Sequence, residues 1–582
     1  MGIVADTPGT VLVQRDGADW LLFTRPQNIL CAHTLDDVRP LIEEVERCTA
    51  RGLWAAGFLS YEAAPAFDPA LVTHERAVTP LAWFGIYEAP QSLSALPEGA
   101  EAFEAGAWIS TVTEESYAES LSRIKEYIAG GDTYQVNFTL RLRTGFEGSP
   151  WSLFRHLVRN QSPRCAAYVH AGEHVLCSAS PELFFRLDGS HITCRPMKGT
   201  APRGLTSAED ALNTRRLQAS EKERAENVMI VDMVRNDLSR IAARGSVHVP
   251  ELFAVERYYT LLQLTSTVAA ETHAPLGELL AALFPCASIT GAPKVRTMQI
   301  IRELETTPRG VYTGSIGYVS PQRRMQFNVA IRTVDIDTAQ RTAEYGTGGG
   351  IVWDSRTGRE YEECLLKAAV LTASRPDFSL LETLLWKPPS GFFLLERHLE
   401  RLLSSADYFA FRADKQQILA ALTAAVEPLE QAPHKIRLQL SEGGAIRVEA
   451  ELLSRNFKSR RWRVALAGNP IDSHNRFLYH KTTARSVYNA AQAGHPGCDD
   501  VLLWNERGDI TESTVANVVA QFGRELVTPP VSCGLLAGAY RAHLLAKGRI
   551  AERCISKDEL RHAERVYLIN SVRGWIPVDL AL

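Results

Sequence analysis

The stretch Ser374-Arg375-Pro376-Asp377 constrains the fold of this chain more than any other. Proline has no amide hydrogen and disfavours helical backbone in its predecessor, so a helix entering this stretch must stop there. Beyond it a fresh series begins, with a strand-like run from Phe378 to Leu385 and a helix from Leu394 to Ala406, and it does not repeat the first series. A chain of 582 residues is long enough for several domains. The pattern predicts a first domain over 1–373 with an N-terminal subregion over 1–110, a linker at 374–377 and a second domain over 378–582.

Charge excludes some partners. The net charge is −4 with acids and bases nearly balanced and no long basic run, so nucleic acid and membrane surfaces are not expected partners. No apolar run approaches the roughly 20 residues that cross a bilayer. The 10 cysteines include no CxxC pair, and the N-terminus lacks a charged region followed by an apolar one, which points to a reducing cytoplasm. Small molecules remain as substrates.

Within the first part, helices are expected over Arg39–Ala50, with Pro40 in the first turn, over Glu114–Ala129, and over Ser220–Ala243. Asp188-Gly189 reads as a two-residue hairpin turn. That turn would set Glu182 opposite Arg195, with Lys198 about 10 Å further along at roughly 3.3 Å per residue. An amine nucleophile near a carboxylic acid can displace a hydroxyl group; the same pair can equally be a surface ion pair. Glu226 shares a helix face with Met229, Ile230 and Met233, while Glu360 and Glu363 lie at i and i+3 after the run Gly346-Thr347-Gly348-Gly349-Gly350. Three carboxylates facing an anionic substrate would suit Mg²⁺. Glu363 could instead pair with Lys367 at i+4.

Taken in order, Thr133-Tyr134-Gln135-Val136-Asn137, Ser180-Pro181-Glu182, Pro196-Met197-Lys198-Gly199-Thr200, Glu226 to Asp237, Ser288-Ile289-Thr290-Gly291-Ala292-Pro293-Lys294, Tyr312-Thr313-Gly314, Phe327 to Thr333 and the glycine run resemble the chorismate-utilising family, over roughly residues 10 to 372. The resemblance implies an α+β fold like that of anthranilate synthase component I, with antiparallel sheets and helices. It implies that Glu226 and Glu363, assisted by Glu360, hold Mg²⁺ against chorismate. Gly348, Gly349, Gly350, Tyr312 and Arg332 would fix the other anionic groups, and Thr290 would contact a substrate hydroxyl. Lys198 in its P-x-K-G-T position marks members that aminate at C4, with Lys198 as nucleophile and Glu182 as general acid, and Gln135 stands where water-adding members carry a lysine base. One departure is Gln263, where many relatives carry histidine. No glutaminase motif is present, so ammonia is expected from solution or from a separate glutamine amidotransferase subunit.

In the second part, Lys481 ends a strand-like run from Phe477. With Arg401, Glu512 in Ile510-Thr511-Glu512-Ser513-Thr514, and Gly534-Leu535-Leu536-Ala537-Gly538-Ala539-Tyr540-Arg541, it resembles the fold-type IV pyridoxal-phosphate enzymes over about 378 to 582. The likeness implies an α/β region of two subdomains and a homodimer through this part. It also implies pyridoxal 5'-phosphate on Lys481, with Glu512 at the pyridinium nitrogen and Arg401 with the Ala539 and Tyr540 amides at the phosphate. Aminotransferases share these residues, so the fusion selects the reaction. The two resemblances together imply aminodeoxychorismate synthase component I joined to aminodeoxychorismate lyase, making 4-aminobenzoate for folate synthesis. The alternatives are an anthranilate synthase component joined to an aminotransferase, or one half kept as a non-catalytic module.

Overall fold

The computed structural model describes residues 7–17, 19–75, 79–99, 102–373, 375–454 and 460–581; Ser374, in the helix-breaking stretch, lies outside them. The chain forms two compact units. The first comprises Met1–Pro202 and Thr214–Arg375, the second Arg203–Asn213 and Pro376–Leu582. The expected division at 374–377 did not foresee the short segment given to the second unit. Its cause is local to that unit. Arg203 pairs with Asp210 at 2.7 Å, lies 4.4 Å over the Tyr408 ring and donates to the Tyr408 carbonyl at 2.8 Å, while Tyr408 Oη returns a bond to Gly204.

In the first unit, the described residues form an eleven-stranded and a ten-stranded sheet, with antiparallel pairings such as Gln135–Gly148 on Thr342–Ile351. The 1–110 stretch is no separate subregion. Val11–Gln14 pairs with Ala167–His170 in one sheet, and Trp54–Leu59 pairs with Ser315–Val319 in the other.

The helix Glu114–Ala129 starts on a Thr113 cap and keeps its expected bounds. The next long helix is shorter than expected, Glu221–Ser239, starting where the Ser220 hydroxyl caps the Glu223 amide. Ile230, Val231 and Val234 of that helix enter a core with Phe184, Phe185 and Phe327, leaving Glu226 half-buried at the edge. The first helix begins at Leu35, so Pro40 lies inside it rather than in its first turn.

The second unit has a four-stranded and an eight-stranded sheet among its described residues. The larger sheet is mixed, with Trp462–Leu466 parallel to both Asp500–Trp504 and Gly574–Ala581. The expected strand before Lys481 is instead a 3₁₀ turn at Arg476–Leu478, which Asn475 initiates by accepting from the Phe477 amide.

Candidate active sites

Lys198 belongs to a strand of its own, Met197–Pro202, paired with Leu261–Glu271. Met197 faces Thr265 and Thr200 faces Gln263, so Lys198 and Gly199 together oppose Leu264 alone. That extra residue is a β-bulge, a device that re-aims a side chain. Gly199 supports it with φ 95°. Two side chains clamp the bulge. Gln263 Nε2 donates to the Gly199 carbonyl at 2.9 Å, and Asn227 Nδ2 donates to the Lys198 carbonyl at 3.4 Å. Gln263 therefore helps position the lysine strand.

The hairpin before it differs by one residue from expectation. Asp188 pairs with His191 and Leu183 with Arg195 across a bulge, so Gly189-Ser190 is the turn. Gly189 takes φ 64°, as the first position of a type II′ turn requires. Glu182 consequently falls just beyond the ladder. It is buried, and its Oε1 accepts from Ser288 Oγ at 2.6 Å. Burial raises its carboxyl to about 7 against the opposing pull of Ser288 and Lys198. Burial lowers the Lys198 ammonium; the nearby Lys367 charge adds to this, while Glu226, Glu182 and Glu363 oppose it. Ser288 carried no expected role, and its hydroxyl's closeness to Glu182 depends on a contact that no local pattern signals.

The glycine run is part of the strand Thr342–Ile351, not a loop. A side chain at Gly350 would run into the Gln135 amide and come within 3.1 Å of Lys198 Nζ, and one at Gly346 would strike the Tyr312 ring. These glycines let Gln135, Lys198 and Tyr312 crowd against a backbone. Gln135 is buried with its Oε1 unpartnered.

Among the described residues, Glu226, Glu360 and Glu363 do not close into a group whose ligand atoms all lie within 4.8 Å. Glu363 pairs with Lys367 at 2.7 Å, and Lys367 also donates to the Gly348 carbonyl at 2.9 Å. Burial pushes Glu363 upward, yet Lys367 holds it below the usual range. Burial raises Glu226 and Glu360. The structure does not bring two other expected contacts to the group in a free state. The Thr290 hydroxyl is turned to the carbonyls of Cys286 and Ala287, and Arg332 donates to Gln161.

Behind this site sits a buried ionic group that sequence reasoning missed. Arg309 grips Glu305 with two nitrogens, at 3.0 and 2.7 Å. It also donates to the carbonyls of Ile289 and Asn137, tying together the segments that carry Thr290 and Gln135.

In the second unit, a cavity of about 440 Å³ is lined by Lys481, Glu512, Arg401, Ala539 and Tyr540 among others. The Lys481 backbone is held by the Leu381 amide at 2.9 Å. Burial, then the Arg401 charge, lowers Lys481 to about 8. Burial raises Glu512 to about 7, although it accepts from Tyr488 at 2.8 Å, the Leu536 amide at 3.1 Å and Asn517 at 3.3 Å. Ala539 and Tyr540 open the helix Ala539–Ala546, whose first amides are free to face an anion. Arg401 is bidentate to Glu382 at 2.9 and 2.7 Å and donates to the Ala537 carbonyl at 3.1 Å.

Comparison with known proteins finds a match for each part of the chain. Residues 16–373 match the family described as chorismate binding enzyme, and residues 379–581 match amino-transferase class IV. The chain is 44% identical over 260 residues to aminodeoxychorismate synthase component 1 of Klebsiella aerogenes, covering 44% of this chain and 57% of the relative. It is 41% identical over 267 residues to anthranilate synthase component 1 of Aquifex aeolicus (strain VF5), covering 45% and 53%. The chain thus spans little over half the length of these curated relatives. Anthranilate synthase component I from Streptococcus pneumoniae TIGR4 shares its fold, with TM-score 0.53 at 23% identity over 64% of this chain and 94% of that one. No helix among the described residues is long and apolar enough to cross a membrane. The chain belongs to the chorismate binding enzyme family, and the region after it is similar to amino-transferase class IV.

Proposed function

We propose that the chain makes 4-aminobenzoate from chorismate in two steps, one in each unit. Overall identity to the two kinds of component 1 is nearly equal, so it does not choose between them. Lys198 carries the choice: it is a half-buried amine whose charge burial weakens, set against Gln135, Gly350 and the acid Glu182.

In the first step the Lys198 amine attacks C2 of chorismate, and Glu182 gives its proton to the departing C4 hydroxyl. Ammonia then adds at C4 and the C2–nitrogen bond to Lys198 breaks, giving 4-amino-4-deoxychorismate. Gln135 Oε1, with no partner of its own, offers an acceptor to the ring substituents. Tyr312, Arg332, Thr290 and the Gly348–Gly350 backbone are the proposed substrate contacts. Glu226, Glu360 and Glu363 offer oxygen donors only, which fits Mg²⁺ with retained waters and a substrate carboxylate. When bound, the ion supplies positive charge to hold that carboxylate. Glu363 must then leave Lys367.

In the second step Lys481 would hold pyridoxal 5'-phosphate until the substrate amine takes its place, and the Lys481 amine so freed would take the C4 proton, after which the enolpyruvyl group departs as pyruvate and the ring becomes aromatic. The residues fit this cofactor. A buried carboxyl raised to about 7 matches a pyridinium proton, and the helix beginning at Ala539 with Arg401 matches a phosphate. When bound, the cofactor supplies the electron sink that acidifies that proton. Glu512, kept in place by Tyr488, Asn517 and Leu536, preserves the charge on the ring nitrogen.

Ammonia would come from a separate glutamine amidotransferase subunit, the second unit would pair as a homodimer, and the unpaired thiols suit a reducing cytoplasm. The decisive experiment supplies the purified chain with chorismate, ammonium, Mg²⁺ and pyridoxal 5'-phosphate. 4-Aminobenzoate and pyruvate in equal amounts are expected; the ortho isomer, or amino transfer to 2-oxoacids without pyruvate, overturns the reading.

A further inference from the structure

Away from the cofactor cavity, three side chains of the second unit meet at one point. Among the described residues, Asp509, Cys533 and Cys554 are the one group of three acidic, thiol or imidazole side chains whose ligand atoms all lie within 4.8 Å. They arrive from separate places. Asp509 precedes the strand Ile510–Ser513, Cys533 ends the 3₁₀ turn Val531–Cys533, and Cys554 follows the strand Ala551–Glu552.

The two sulfurs are 3.7 Å apart. Two thiolates on a tetrahedral zinc, each about 2.3 Å from the ion, stand about 3.8 Å apart, whereas a disulfide needs about 2.05 Å. The pair is spaced as two ligands of one ion. The carboxylate is already oriented: Asp509 Oδ2 accepts from Arg507 Nε at 3.1 Å and from Asn505 Nδ2 at 3.3 Å. Asn505 Nδ2 also donates to the Cys533 carbonyl at 3.0 Å, and the Ile510 amide donates to Ile555 at 2.7 Å. Such an outer shell is what holds metal-ligating carboxylates in place. Charge is partly offset. Two thiolates and a carboxylate exceed a dication by one negative charge, and the Arg507 guanidinium, shared between Asp509 and Glu506, offsets part of it. Cys533 is buried and Cys554 exposed, so the site has an anchored wall and an open side.

We propose that Asp509, Cys533 and Cys554 bind one zinc ion, with a water completing the tetrahedron on the open side. Binding releases the two thiol protons to solvent. The site is independent of the chemistry proposed for the cavity, but it bears on that cavity's wall. Cys533 begins the segment whose Leu536 amide holds Glu512 and whose Ala537 carbonyl holds Arg401, so the ion clips the base of that segment.

The test uses the full chain, reduced, metal-stripped and loaded with pyridoxal 5'-phosphate, titrated with Co²⁺ alone and then with Zn²⁺. Difference spectra should show near-ultraviolet thiolate-to-cobalt charge transfer that saturates at one equivalent and disappears on adding zinc. Carboxylate sites elsewhere cannot give this band. Cys554→Ser should abolish it, Cys498→Ser should keep it, and Asp509→Asn should keep sulfur ligation while weakening zinc affinity about tenfold or more. Because Cys554 is at the surface, its variant decides the question even if Cys533→Ser does not fold. Absence of the band from the wild type, its survival in Cys554→Ser, or oxidation of the reduced pair to a disulfide in the presence of equimolar zinc overturns the proposal.

Discussion

Burial moves Lys198 and Glu182 in opposite senses and so brings their proton affinities together. The ammonium loses some of its hold on its proton, and the carboxyl keeps its own up to about 7. Burial thus favours the neutral, attacking form of the amine and the protonated, donating form of the acid at once. Lys198→Ala should form no aminodeoxychorismate from chorismate and ammonium, yet still release pyruvate from supplied aminodeoxychorismate; coupled pyruvate detection checks both. Glu182→Gln should lower the first step by about 10²–10⁴-fold. In the wild type that step should slow as pH rises through about 7, because Glu182 then gives up the proton it must donate. A rate profile with no such limb, or the same limb in Glu182→Gln, would remove Glu182 from the acid role.

At the scale of elements, the first site depends on one strand approaching another without side chains between them. Gly350 leaves room for the Gln135 amide and Lys198 Nζ, and a methyl there meets both. Gly350→Ala should leave a folded protein whose amination step is nearly lost while pyruvate release from supplied intermediate persists, read from the two activities beside a thermal melt. The Arg309 group anchors the neighbouring segments. Arg309 is the bidentate partner of Glu305, which keeps Thr139 and, at 3.8 Å, Arg141 when Arg309 is removed, so Arg309→Met should cost about 3 kcal/mol. Urea denaturation measures it, and a loss below about 1 kcal/mol would show that Glu305 finds another partner.

For the whole molecule, the proposed catalytic side chains of each step lie inside a single unit, which predicts separable activities. Chelating Mg²⁺ should stop amination and spare pyruvate release, and Lys481→Ala should accumulate aminodeoxychorismate without 4-aminobenzoate. Borohydride should fix the cofactor covalently to the wild-type peptide containing Lys481; labelling elsewhere would reassign the lysine. Much of this was legible in the sequence. Hydrophobic periodicity and serine or threonine caps are local, so the helix beginning at Glu114 could be read directly, and the ordered motifs around Lys198 and Lys481 pointed to two families. Contacts between distant segments could not be read. Tertiary structure alone turned the glycine run into a strand pressed against Gln135 and put Ser288 on Glu182. It likewise clamped the lysine bulge with Asn227 and Gln263, and gathered Asp509, Cys533 and Cys554 from three elements, whereas the Glu363–Lys367 pair is local, at i and i+4. Short-range propensity sets where an element starts and stops, but register, bulges and buried charge pairing are fixed only when separate strands and helices close on one another.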